Sequence, residues 1–379
     1  MDHSPKIELV REWDEQEKES PRSLNTARLE GWLSELVRLK GSDLLLVSGA
    51  PACVRIEGKL KNIGTNLLGG AEIESAVLPA LAPYALQAYR ESLIADCSYR
   101  VAGLGRFRIN LHHERGRAAA AVRALPSNVP KLADLHLPPG IDALARLSRG
   151  LVLIGGPAGS GKSTTLAALI HEINRSQARH IVTIEDPIEY EHGHVQSILE
   201  QVEIGTDARD FPSALRAALR QAPDILVVGE MRDPESMRIA LAAAETGHLV
   251  FSTLHATDVA ATISRIADSF PLERQHTIRQ ELAMALAAVV TQILLPSKQG
   301  GRVPAAELLL ASYGTRQHVR RNALQHLHQE IAITRKMGSF TLEESLLQLM
   351  TQGHIDREDA LACALHPEDL ELLSKSRNS

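Results

Sequence analysis

The chain has 379 residues, 44% of them hydrophobic and 23% charged, which is the balance of a globular protein large enough for two domains and an extension. Its formal net charge of −5 and its 3% aromatic content exclude the basic footprint expected of a protein that grips nucleic acid or anionic lipid. Cys53, Cys97 and Cys363 form no CxxC pair, which excludes a disulfide framework or a cysteine zinc site and fits a reducing cytoplasm.

Residues 1–22 are polar and acidic where a targeting sequence is basic and then apolar, and they read as a charged, disordered leader. Leu29, Trp32, Leu33, Leu36, Val37 and Leu39 follow helical spacing, with Asn25 or Thr26 as N-cap and Gly41 as the stop. Strands are predicted at DLLLVS (43–48), CVRIEG (53–58), RFRINLHH (106–113) and AAAAVRAL (118–125). In the third of these, Phe107, Ile109 and Leu111 alternate with Arg106, Arg108 and Asn110, the period of a half-buried strand. An α+β domain over 23–125 is the natural reading. The segment 126–140, with four prolines and a closing glycine, reads as a linker.

From there to residue 373 the pattern changes. Apolar runs at LVLIG (151–155), HIVTIE (180–185), DILVVG (224–229) and HLVFSTLH (248–255) alternate with helical stretches beginning at Lys162 and spanning 210–221 and 234–245. That alternation predicts a parallel sheet covered on both faces. Leu282–Pro296 is the most apolar long run, but it is short for a membrane span and carries Thr291 and Gln292. It reads as a buried helix within a C-terminal third that is helical throughout.

Four motifs carry chemistry. GPAGSGKST places Gly156, Pro157, Ala158, Gly159, Ser160, Gly161, Lys162, Ser163 and Thr164 between a strand and a helix, as a phosphate-binding loop requires. Its glycines turn backbone N–H groups toward phosphate, Lys162 reaches the β- and γ-phosphates of ATP, and Ser163 is placed to ligate Mg²⁺. TIEDPIEYE (183–191) gathers Glu185, Asp186 and Glu189 at a strand end, where a carboxylate orients water or holds Mg²⁺. DILVVGEMRD (224–233) ends an apolar strand on Gly229–Glu230, so Glu230 faces Mg²⁺ through water or polarises the nucleophile. AETGHLVFSTLHATD (244–258) sets His248 and His255 at the two ends of a strand, and an imidazole at the strand end can sense a γ-phosphate. His112–His113, His192/His194 and His326/His328 have no carboxylate or cysteine company in sequence and read as loop residues.

In this order the four motifs resemble those of the secretion and pilus ATPase superfamily: Walker A, an Asp box, an atypical Walker B and a His box. Within it, TIEDPIEY, LRQAPDILVVGEMRD and AAETGHLVFSTLHA are similar to the type IV pilus retraction motors of the PilT and PilU kind, over about residues 27–373. GSDLLLVSGAPACVRIEGKL matches the opening of that family, and the C-terminal LLQLMTQGHIDREDALACALHPEDLELL has a PilU-like character. The resemblance implies an α/β fold in which a PAS-like α+β domain precedes a RecA-like P-loop ATPase domain with a helical C-terminal region. It implies a cytoplasmic homohexamer that hydrolyses ATP with Mg²⁺ and retracts the pilus, reaching the inner membrane through a platform protein and partnered by a paralogous retraction motor. Glu189, or alternatively Glu185, would activate water, Glu230 would be the Walker B acid and His255 the His-box residue. Arg106, Arg108 and Arg123 match the positions of charge-stabilising arginines.

Two departures stand out. The family's retraction-linked AIRNRA-type motif is here GTRQHVRR, keeping Arg316 and Arg320, and Leu45–Leu46 replace a polar DLHL. Rival readings are an assembly or secretion ATPase of the same superfamily, an accessory partner of a second motor, and a hexameric nucleic-acid translocase. The absence of a four-cysteine zinc element disfavours the first, and the acidic balance and the Asp and His boxes disfavour the last.

Overall fold

The computed structural model describes residues 26–377, so the predicted leader 1–22 lies outside the described residues. Two units form by internal contact. Of the described residues, one unit takes 26–128 with Asp186–Glu191 and Glu203–Arg209; the other takes Val129–Glu185, His192–Val202 and 210–377.

In the first unit the elements run α1 (Ala27–Arg38), β1 (Asp43–Leu46), β2 (Cys53–Ile56), β3 (Lys59–Asn62), α2 (Gly70–Val77), α3 (Pro83–Ser92), β4 (Ala95–Val101), β5 (Gly105–Glu114) and β6 (Arg117–Ala124). The strands form an antiparallel sheet in the order β3-β2-β1-β6-β5-β4. The alternation in β5 does what period-two patterning dictates: Phe107, Ile109 and Leu111 are buried against Leu29, Leu33 and Leu36 of α1 and Ile73 and Val77 of α2. The opposite face is ionic, with Arg123 on Asp43 at 3.0 Å, Arg55 on Asp43 at 3.6 Å and Arg108 on Asp96 at 3.6 Å. Thr26 occupies the N-cap position of α1, but its hydroxyl donates to Glu30 Oε1 at 2.9 Å and makes no side-chain cap to the backbone.

In the second unit the elements are β7 (Gly150–Gly155), α4 (Lys162–Ser176), β8 (His180–Glu185), β9 (Ile198–Glu203), α5 (Phe211–Ala218), β10 (Ile225–Glu230), α6 (Pro234–Glu245), β11 (Leu249–Leu254), α7 (Val259–Asp268), α8 (Leu272–Ala285), β12 (Leu286–Pro296), β13 (Arg302–Leu310), α9 (Tyr313–Arg320), α10 (Leu327–Ile333), α11 (Leu342–Thr351), α12 (Arg357–Cys363) and α13 (Pro367–Arg377). Their sheet has the order β13-β12-β7-β11-β10-β8-β9. β12, β7, β11, β10 and β8 are mutually parallel, and β13 closes one edge antiparallel to β12. All of β7 is buried, because both faces of a parallel sheet are covered and the strand has no polar side to show. Strand ends β10 and β11 pass to helices through aspartate N-caps. Asp233 accepts from Ser236 N at 2.8 Å and Asp258 from Ala261 N at 2.7 Å, each satisfying a donor that the helix cannot.

The run Leu282–Pro296 is not one helix. Its first residues end α8, and from Leu286 it is strand β12, paired with β7 on one edge and β13 on the other. The C-terminal third is accordingly not helical throughout. A strand buried on both faces shows no alternation, and its apolar run is indistinguishable from a buried helix by periodicity. Val289, Val290, Thr291 and Ile293 are β-branched and favour the strand. Pro304 lies within β13, tolerated because this is an edge strand where a missing N–H need not break a ladder.

One buried acid makes the stability of this unit pH-dependent. Glu307 on β13 is 4% exposed and accepts from Thr291 Oγ1 at 3.1 Å. Burial, with the charges of Glu343 and Asp258 adding to it against the Thr291 hydrogen bond, pushes its carboxyl from 4.5 up to about 7. Because the folded value is raised, the protonated acid stabilises the fold fully below pH 4.5, and that contribution is lost as the pH rises through about 7. Urea midpoints recorded across this window should fall less steeply for Glu307→Gln than for the wild type, and parallel curves would contradict the assignment.

Candidate nucleotide site

The phosphate loop begins where β7 ends and closes on the first turn of α4. Two of its glycines are sterically required. Gly156 has φ +151° and Gly161 has φ +87°. A Cβ at Gly156 would run into the Gln292 carbonyl and lie 2.5 Å from Ser160 Oγ; at Gly161 it would lie 2.7 Å from Gln292 Nε2. Only glycine accepts both the dihedral and the space. Gly161→Ala should therefore distort the loop, weakening nucleotide affinity by about tenfold or more as read by calorimetric titration; unchanged affinity would show that the loop tolerates a side chain.

α4 is 15 residues long and starts at Lys162, so the positive end of its dipole sits at the loop. Lys162 is 7% exposed and folds back over its own loop. Its Nζ donates to Gly156 O at 2.9 Å and Pro157 O at 2.8 Å, and lies 3.4 Å from His255 Nδ1. The buried Ser160 Oγ has no hydrogen-bond partner among the described residues. A cradle that any Cβ would fill, an orphaned hydroxyl and an ammonium resting on carbonyls together fit a polyphosphate. Ser163, at the start of α4, is exposed.

The acids and the histidine come from neighbouring parallel strand ends. The register of β10 on β11 slips between Val228 and Glu230, so Gly229 forms a bulge, which re-aims the following side chain. A Cβ on Gly229 would lie 3.2 Å from Ile184 O and 3.4 Å from Glu185 Cα, which accounts for the Gly–Glu form of this motif. Thr253 Oγ1 donates to Gly229 O at 2.5 Å and ties β11 to the bulge. Glu230 Oε1 then lies 3.4 Å from His255 Nε2, and Glu230 Oε2 accepts from Arg232 Nε at 2.9 Å. Lys162, His255, Glu230 and Arg232 thus form one line of polar contacts. A cavity of about 830 Å³ lined by Glu230, Arg232, His255, Arg265 and Asp268 brings solvent to it.

The structure divides the acidic cluster. Glu185 ends β8 in the second unit, held by Thr183 Oγ1 at 2.8 Å and Gln201 Nε2 at 3.2 Å, both on its Oε1. Asp186 and Glu189 belong with the first unit, and Glu189 is exposed. The three arginines share the ionic face of the first sheet, since Arg108 pairs in register with Arg123 and Arg106 is two residues from Arg108. Arg106 is spoken for: its side chain is 11% exposed and donates to Glu203 at 2.9 Å and Ile188 O at 2.9 Å. Arg108 and Arg123 are 42% and 68% exposed and keep a charge at the surface. His248 packs at home, its Nδ1 bonded to Ala243 O at 3.0 Å.

Of the histidine pairs, His192 and His194 do lie in a loop, between β8 and β9, whereas the other two pairs sit on regular structure. His112 and His113 lie within β5, where His113 bonds Tyr89 at 2.8 Å, and burial pushes His192 down to about 4, with His171 adding to the shift. His328, on α10, reaches Asp369 at 3.2 Å.

Sequence reasoning missed Gln292, the polar side chain beneath the loop. Its Nε2 donates to Ser160 O at 2.7 Å and its Oε1 accepts from Thr165 Oγ1 at 2.7 Å. The only signal was the polar pair Thr291–Gln292 interrupting an apolar run. Gln201, which holds Glu185, left no signal at all. Toward a divalent cation, Ser163 offers a hydroxyl and Glu230 a carboxylate, the hard oxygen ligands that Mg²⁺ prefers.

The chain is similar to known proteins along most of its length. The family described as "Type II/IV secretion system protein" matches residues 128–359. The type IV pilus retraction ATPase PilT of Pseudomonas aeruginosa is 39% identical over 328 residues, covering 86% of this chain and 95% of that protein. The type IV pilus ATPase PilU of the same organism is 36% identical over 341 residues, covering 90% and 89%. A crystal structure of the pilus retraction motor PilT with bound ADP superposes with a TM-score of 0.81 at 42% identity, covering 90% of this chain and 98% of that one. Among the described residues, no helix is long and apolar enough to cross a membrane.

Proposed function

Because the chain belongs to the Type II/IV secretion system protein family and is similar along most of its length to pilus retraction ATPases, we propose that it is an ATP-hydrolysing motor that powers type IV pilus retraction. The observation that carries this reading is the line from Lys162 through His255 to Glu230, set behind a loop that only glycines can form. A mere nucleotide-binding loop needs no imidazole on its lysine backed by an acid. A hydrolase does, because the charge that moves off the γ-phosphate must be met by groups already in place.

The division of labour follows from position. The loop N–H groups, Lys162 and the α4 dipole hold phosphate. Ser163 and Glu230, the latter partly through water, would hold Mg²⁺, which neutralises charge on the β- and γ-oxygens when bound. Glu189, or alternatively Glu185 beside the Gly229 bulge, would orient the attacking water. In the reaction, water attacks the γ-phosphorus, the bond to the β-phosphate oxygen breaks, and ADP and phosphate leave. His255, touching both Lys162 and Glu230, reports whether a γ-phosphate draws Lys162 off its loop carbonyls. Of the three arginines, Arg108 and Arg123 have the more exposed ion pairs, with Asp96 and Asp43, and would be the ones to stabilise polyphosphate charge. The same reading gives a PAS-like first unit, a RecA-like second unit and a cytoplasmic homohexamer. That hexamer would act on an inner-membrane pilus platform protein, alongside a paralogous motor, without nucleic acid.

The decisive experiment is complementation. A deletion strain should be hyperpiliated and unable to twitch, restored by the wild-type chain and not by Lys162→Ala. Loss of surface pili on deletion would instead assign the chain to assembly, and full rescue by Lys162→Ala would reduce it to an accessory of another motor.

A further inference from the structure

We propose that Gln292 is a positioning residue for the nucleotide, a strut on β12 that fixes the shape of the phosphate loop through both ends of one side-chain amide. Gln292 is 3% exposed and sits in an otherwise apolar strand. Its Nε2 donates to the Ser160 carbonyl and its Oε1 accepts from the Thr165 hydroxyl, each at 2.7 Å. One amide therefore bridges the crown of the loop and the first turn of α4. Holding the Ser160 carbonyl outward fixes the peptide plane between Ser160 and Gly161, and with it the direction of the Gly161 N–H. The fit is close on both sides, since the two loop glycines have no room for a Cβ precisely where Gln292 O and Nε2 lie. A buried amide with both ends satisfied costs little to keep and much to break.

The inference rests on the reading of this loop as a nucleotide site. Because Gln292 reaches the loop and no part of it is an acid or base, its loss should weaken binding of substrate and transition state alike, raising KM more than it lowers kcat. Gln292→Glu adds a sharper signature. One carboxyl oxygen can still accept from Thr165, but the other can donate to Ser160 O only when protonated. Activity relative to wild type should therefore recover as the pH falls, in the direction that burial drives such an acid's pKa.

The test uses the full chain as wild type, Lys162→Ala, Gln292→Met and Gln292→Glu, with fluorescent ADP titration, steady-state ATPase kinetics and nucleotide-free melting. The expected result is a roughly tenfold or greater loss of ADP affinity and a matching rise in KM for Gln292→Met. Gln292→Glu should be defective at pH 8 and partly restored at pH 6. A folded Gln292→Met that binds ADP as wild type does, or a Gln292→Glu profile parallel to wild type, overturns the proposal. Should Gln292→Met fail to fold, the Gln292→Glu profile decides. Wild type that binds no ADP overturns the nucleotide reading itself, a result distinct from any that turns on Gln292 alone.

Discussion

Lys162→Ala should leave a folded protein whose kcat for ATP is lower by about 10³-fold or more. The reason lies in what Lys162 touches. Its ammonium is buried against Gly156 O and Pro157 O and reaches His255, so removing it leaves two carbonyls and an imidazole facing each other with no cation between. The polyphosphate would then meet a site with less positive charge, and the transition state, which spreads negative charge over the γ-oxygens, would lose more than the ground state. Lys162→Arg should not restore the rate. A planar guanidinium is bulkier than an ammonium and cannot sit between the two carbonyls and the His255 ring in the same way. Phosphate-release assays at saturating ATP check this, and a residual rate within tenfold of wild type would remove Lys162 from the chemistry.

Glu230→Gln should lower turnover by about 10² to 10³-fold while leaving ATP bound. Glutamine keeps the size of the side chain, and one end of its amide can still meet His255. It loses the charge that pairs with Arg232 at 2.9 Å and that a cation or a polarised water needs. His255→Ala should produce a smaller loss, and the double variant should be little worse than Glu230→Gln alone, because the two groups act as one line of contacts. Full additivity in the double-mutant cycle would show that the 3.4 Å contact has no functional coupling.

Much of this was readable from the chain. β7, β8, β10 and β11 announced themselves as apolar runs between helical patterns, and the loop, Glu230 and His255 sit at strand ends because parallel sheets deliver their functional groups there. What stayed hidden was hidden for physical reasons. β12 is buried on both faces, so its pattern matched a helix as well as a strand. β13 carries Pro304 and Glu307, and neither suggests a strand until one knows that it is an edge and that Thr291 waits opposite Glu307. The close neighbours Glu185, Asp186 and Glu189 look like one cluster, yet the chain changes unit between Glu185 and Asp186. Arg106 looked like Arg108, two residues on, but it meets Glu203, which no spacing rule connects to it. Gln292 follows the loop it supports by about 130 residues, a partnership that only the sheet order brings about.

The claim at the centre of this account is that Glu230, joined to Lys162 through His255, does chemistry and not merely binding. The most direct measurement is the identity of the nucleotide retained after the purified chain is incubated with Mg²⁺ and ATP, desalted, denatured and resolved by chromatography. The account predicts ADP from the wild type and intact ATP from Glu230→Gln. ADP in equal measure from both would contradict it.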